Sequence, residues 1–273
     1  MADVEKDFRY PEPPLVEVIA EVRWKLTPLS SIPNGGVDPY FFKFRDWLSA
    51  LVAEKGFAFK EPLATADLPL EFLGGSPTIR FRPGAEKWPL FQVGPGLLSI
   101  NITPPYEGWA QFRQTMKIGI DGLRTFFAKE TQLFELASLT LHYIDAFTAV
   151  HGMHDYNKFV VQNLSFASPL PTVPEALTLD PAETQISGEV RYMLKKPSSS
   201  YMIYRVRPGK HREDSAALVE FMIKQESNLD WPMDPMPWFD EAHAACRAAF
   251  QAAIPASVKG TFGAPIEIGG DGK

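Results

Sequence analysis

The chain has 273 residues, 45% hydrophobic and 12% aromatic, enough to bury roughly 70–75% of its unfolded surface in one large domain or two ordinary ones. A net charge of −6 argues against a protein that coats nucleic acid with its whole surface, because that attraction needs positive charge facing phosphate. Cys246 is the sole cysteine, which excludes an intrachain disulfide and a cysteine-based zinc site. Residues 1–12 lack the apolar core of a signal peptide and no apolar run approaches the roughly 20 residues of a membrane span, so a soluble cytoplasmic protein is expected.

Pro13 to Trp24 reads PPLVEVIAEVRW. In an extended chain Val16, Val18, Ala20, Val22 and Trp24 share one face, and Leu15, Glu17, Ile19, Glu21 and Arg23 share the other, which predicts a strand with one buried side. Asp38 before Pro39 predicts a helix N-cap, and Phe41, Phe44, Trp47, Leu48, Leu51 and Val52 follow at helical spacing until Gly56. Residues 78–82, 89–93 and 97–103 read as strands of an antiparallel meander, punctuated by Arg82-Pro83-Gly84 and Gly94-Pro95-Gly96. Trp109, Phe112, Met116, Ile120, Leu123 and Phe127 then form the stripe of a long amphipathic helix.

The order returns in the second half. Residues 136–147 alternate as a strand, Asp155 caps a short helix carrying Phe159 and Val160, strands are expected at 187–194, 201–206 and 217–225, and a helix runs from Trp238 to Ile254. Ile79-Arg80-Phe81-Arg82-Pro83-Gly84 parallels Tyr204-Arg205-Val206-Arg207-Pro208-Gly209 at an offset of 207 − 82 = 125. Asn101, Pro104, Pro105 and Trp109 parallel Asn228, Pro232, Pro235, Pro237 and Trp238. The fold class expected is therefore α+β with two pseudo-repeats, each strand, helix, antiparallel meander, long helix. That order is similar to each half of the TATA-box-binding protein fold, an analogy of order alone. The divisions expected are 1–130, 131–264 and a flexible tail at 265–273.

The opening PPLVEVIAEVRW, the Val93-Gly94 turn leading to Leu98-Ser99-Ile100-Asn101, and Tyr106-Glu107-Gly108-Trp109 with Phe112 together resemble a sporadically distributed bacterial family of uncharacterised proteins of about this length. That family usually reads Arg-Tyr-Ile-Asn in a mid-chain strand, where this chain has His142-Tyr143-Ile144-Asp145. The resemblance implies no activity.

Glu17, Glu21 and Arg23 form a polar row on a sheet face. A solvated face ranks first, buried pairing between repeats second and catalytic carboxylates third, since paired carboxylates need a cleft between them. His151-Gly152-Met153-His154 reads as a turn rather than a metal site, and His243 with Cys246 as helix packing rather than a catalytic pair. No phosphate loop, dinucleotide fingerprint or nucleophile elbow is present, so no cofactor is expected. Arg191, Lys195, Lys196, Arg205, Arg207, Lys210 and Arg212 face only Glu189 across 189–212, either a phosphate-binding hairpin or a charged edge that resists aggregation. Under a pseudo-twofold, Arg80 and Arg82 would occupy the equivalent turn. Trp231 and Met236, in a proline-stiffened loop, offer apolar surface to a partner or anchor that loop on the core.

The function these readings favour is a non-enzymatic adaptor that engages a protein partner through the sheet face or the 228–238 loop. The alternatives are nucleic-acid or phosphorylated-ligand binding through the basic hairpin, and a small-molecule enzyme with a pocket between sheet and helix, using Glu17, Glu21, Arg23 and His142.

Overall fold

The computed structural model describes residues 7–29, 36–69, 72–128, 134–164, 185–229 and 234–268. In the first half they form β1 (Asp7–Arg9), β2 (Leu15–Trp24), β3 (Thr27–Pro28), β4 (Gly36–Val37), α1 (Phe41–Glu54), β5 (Phe59–Pro62), β6 (Ile79–Arg82), β7 (Leu90–Gly94), β8 (Leu97–Ile102) and α2 (Trp109–Phe127). The second half supplies β9 (Leu136–Phe147), α3 (Tyr156–Asn163), β10 (Gly188–Met193), β11 (Ser200–His211), β12 (Asp214–Gln225), α4 (Met236–Ala253), α5 (Ala256–Lys259) and β13 (Ile266–Ile268).

Nine strands make one antiparallel sheet in the order β10-β11-β12-β9-β2-β8-β7-β6-β5, so the chain is mixed α+β, and a single sheet crosses the expected boundary near residue 130. The central pair is β2 with β9, the first strand that each half gives to this sheet. On either side, the last meander strand of that half, β8 or β12, returns to lie against it.

The alternation read in β2 holds from Val18 to Trp24. Val18, Ala20, Val22 and Trp24 are buried and join one core with Phe44 and Leu48 of α1, Phe112 and Ile120 of α2, Phe159 of α3 and Phe239 of α4. The helices thus cover one side of the sheet, the side their apolar stripes demand. At its start β2 departs from strict period two. The register slips between Leu15, opposite Asp145, and Glu17, opposite Ile144. The extra residue, Val16, makes a β-bulge that turns Leu15 toward the helices, where parity alone had set it with Glu17.

Three further expectations are corrected. Asp38 is not the cap of α1, whose N-cap is Tyr40 with no side-chain bond. Its buried carboxylate accepts from Trp24 Nε1 at 2.9 Å, the Gly96 amide at 3.0 Å and the Tyr40 amide at 2.9 Å, tying β2, the β7–β8 turn and the helix entry together. Arg207-Pro208-Gly209 is not a turn but the interior of β11, whose hairpin closes at Arg212-Glu213. Pro208 is tolerated because β10 pairs β11 only as far as Val206, so its missing N–H faces a free edge. Residues 266–268, expected in a flexible tail, form β13 and pair with β1.

A cavity between the sheet and helix α4

The face opposite the helices collects most of the predicted residues. A polar row runs from Tyr201 through Lys224, Thr140, Glu21, Ser99 and Gln92 to Arg80 and Glu61, one residue from each of eight neighbouring strands. Its charges are spent within the fold. Arg23 Nε donates to Glu21 at 3.0 Å and its Nη1 to the Gly75 carbonyl, while Glu17 accepts from Asn101 Nδ2 at 2.7 Å. Glu17, Glu21, Arg23 and His142 share this face, yet each closes a local pair, and none of them borders the cavity described below.

The arginines behave alike. Arg205 Nη2 reaches Glu189 at 2.6 Å, and Arg205 Nη1 and Arg207 Nε reach Glu220 at 3.3 and 2.7 Å. Glu220, 3% exposed, also bonds His142 Nε2 at 3.1 Å. That bond first, and Arg207 after it, hold its carboxyl at about 2 against the opposing pull of burial. Glu220 lies outside the 189–212 interval, so the count along the chain missed the anion that pairs with Arg205 and Arg207. At the far end of the sheet, Arg82 Nε donates to Glu61 at 2.5 Å and stacks over Trp88, and Arg80 Nη1 donates to Glu61 at 3.2 Å. Each arginine pair thus sits one strand in from a sheet edge: Arg80 and Arg82 are clamped by Glu61 of edge strand β5, Arg205 by Glu189 of edge strand β10 and by Glu220 of β12, and Arg207 by Glu220. They do not occupy equivalent turns.

Met236, predicted as contact surface, is 3% exposed because it opens α4 beside Trp238, whose Nε1 bonds Ser200 Oγ at 3.0 Å. The loop is anchored there by its helical end. Trp231 lies outside the described residues. His151 is buried with its Nδ1 on the Thr148 amide, and Asp155 caps α3 at the Lys158 amide, as the turn reading requires. Among the described residues no group of histidine, cysteine and acidic side chains could hold a metal ion.

On the helix side, a cavity of about 180 Å³ opens between α4 and the ends of β2, β9 and β12. Pro13, Pro14 and Leu15 close one side, and the bulge is what brings Leu15 there. Tyr106 and Gly108, just before α2, close another. α4 presents His243, Cys246, Arg247 and Phe250 along one stripe, and the sheet contributes Phe221, Tyr143 and Asp145. Asp145 is 4% exposed, and no side-chain hydrogen bond or ion pair to a described residue engages its carboxyl. Burial alone pushes that carboxyl up to about 7.

The neighbours of Asp145 are settled differently. His243 Nδ1 and the Tyr143 hydroxyl are 2.7 Å apart, and the imidazole stacks on Trp109 at 4.4 Å. Asp240, one turn earlier, accepts from Trp109 Nε1 and two nitrogens of Arg113. Cys246 Sγ donates to the Phe221 carbonyl at 3.8 Å, and burial first, then the charge of Asp145, raises its pKa beyond any reactive range. The cavity therefore offers one unsatisfied acid, a fixed tyrosine–histidine pair and aromatic and proline walls. The sequence placed Glu17, Glu21, Arg23 and His142 on the opposite face; its signals here were an acid on the apolar parity of β9 and the His243–Cys246 spacing on α4, read as helix packing.

Comparison with family models, with curated proteins and with solved structures finds no match to this chain. None of the described helices is long and apolar enough to cross a membrane.

Proposed function

We propose that the chain is a small-molecule-binding protein whose ligand occupies the cavity between α4 and the sheet. The observation that carries the reading is Asp145: a buried carboxyl on the wall of an apolar cavity, with no partner among the described residues, is costly unless a ligand uses it. The protonated, carbonyl-bonded Cys246 supports binding rather than nucleophilic catalysis. A thermal-shift screen of small aromatic and aliphatic fragments tests the reading, with Leu15→Trp filling the cavity. Fragments that stabilise the wild type should lose their effect in the variant; hits that persist unchanged would place their site elsewhere.

A protein partner on the polar sheet face is the second reading, supported by the eight-strand polar row on the face opposite the helices. The glutamates that neutralise Arg80, Arg82, Arg205 and Arg207 weigh against phosphate binding at those side chains. The matching strand order about the β2–β9 pair supports an internal duplication with TATA-box-binding-protein-like halves. A lone buried thiol suits a reducing compartment such as the cytoplasm.

A further inference from the structure

Taking the cavity as a ligand site, we propose that its ligand is a small organic cation, an amine on an apolar body, held by the Asp145 carboxylate. A charge buried without a counter-ion is unfavourable, and the species that relieves it is one that brings the opposite charge. Asp145 lines the cavity from the sheet, and the residues that line it with Asp145 are the kind that accept a cation: Tyr10, Tyr143, Phe221 and Phe250 are aromatic, and aromatic rings attract positive charge, while Pro13, Pro14 and Leu15 suit an apolar body. The cavity volume of about 180 Å³ admits a ligand of roughly 12–18 non-hydrogen atoms, at the ~10–15 Å³ that one water needs.

The other groups facing the cavity are compatible with this occupant. Arg247 of α4 is half-exposed, and burial is the one cause of the Asp145 shift, so Arg247 does not neutralise that carboxyl. His243 and Tyr143 are bonded to each other. The Cys246 thiol is held neutral, and Tyr10 and Tyr106 are phenols. Asp145 is left as the anion of the site. An anionic or carbonyl ligand would instead need Asp145 to keep its proton, which reverses the dependence on pH.

Calorimetric titration of the full chain with benzylamine, benzyl alcohol and benzoate at pH 6 and pH 8 tests the assignment. Benzylamine should bind best and about tenfold more tightly at pH 8 than at pH 6, because the ionised fraction of an acid titrating at about 7 rises by that factor. At pH 6 its binding should release close to one proton, read from titrations in two buffers of different ionisation enthalpy. Asp145→Asn should remove both the preference for the amine and its pH dependence; if that variant does not fold, the wild-type pH and proton-release measurements decide. Benzyl alcohol binding as tightly as benzylamine, or affinity that falls as pH rises, would overturn the cation while leaving the cavity as a binding site. Binding by none of the three would overturn both readings.

Discussion

An aspartate that titrates near 3.9 in an open chain and at about 7 in the fold binds its proton more tightly when folded. Between those values the unfolded chain has released the proton and the folded protein has kept it, so stability falls as pH rises, and the loss levels off above about 7. Asp145→Asn removes the titration. The variant's advantage over the wild type should grow by roughly 2–3 kcal/mol between pH 5 and pH 8, at about 1.36 kcal/mol per pH unit of this window, and urea unfolding at both values measures it. A gap that stays constant would show that Asp145 is not the buried acid described. The residue was visible in the sequence as the acid among Leu139, Leu141, Tyr143 and Phe147 on one parity of β9. Its significance was not, because a cavity depends on Leu15, Tyr106 and Phe250, far apart in the chain, meeting around it. Glu220 illustrates the same limit: the anion that neutralises Arg207 is next door in the sheet and thirteen positions away in sequence.

At the scale of elements, α2 approaches the sheet at Gly119 and α1 at Gly122. A methyl at Gly119 would stand 2.9 Å from Cε1 of the Phe91 ring, which is fully buried and has nowhere to turn. A methyl at Gly122 would stand 2.8 Å from Leu51 Cδ2, the end of a flexible, half-exposed side chain. Alanine favours a helix over glycine by about 1 kcal/mol at either position, while overpacking a rigid core costs about 1–3 kcal/mol. Gly119→Ala should therefore destabilise by up to about 2 kcal/mol and Gly122→Ala should be neutral or stabilising, as paired thermal melts would show. Equal effects would contradict the packing described. Apolar periodicity located α1, α2, β2 and β9, since each buries one continuous face. It missed β5, a four-residue edge strand with little to bury and a closing proline, and it missed the bulge at Val16, because a period-two reading has no place for an inserted residue. It also cut β11 short at Arg207-Pro208-Gly209, residues that signal a turn wherever the proline lacks an unpaired edge to face.

For the whole molecule, what matters is that the two halves meet strand to strand. β2 and β9 lie at the centre of one sheet, and the helices of both halves pack into one core, so neither half has a surface along which to separate. Urea unfolding should give a single transition, with near-ultraviolet and far-ultraviolet signals coincident. Two separated transitions would mean that the halves hold together independently. The main strands and the long helices of each half were readable from the sequence, because each element carries its own pattern. Their union into one sheet was not, since pairing between β2 and β9 depends on backbone groups that every sequence supplies.

The central pairing also governs the time course of folding. Leu15 and Asp145 face each other across it although 145 − 15 = 130 positions of chain lie between them. Closing so long a loop is entropically the slowest kind of contact to make, and it gains nothing until both strands are in place. The cavity is built on that same pair and draws its remaining walls from residues as late as Gln251. It can therefore exist only once the chain through α4 has been synthesised and assembled, so a ligand held there would engage the assembled fold and leave partly folded intermediates alone.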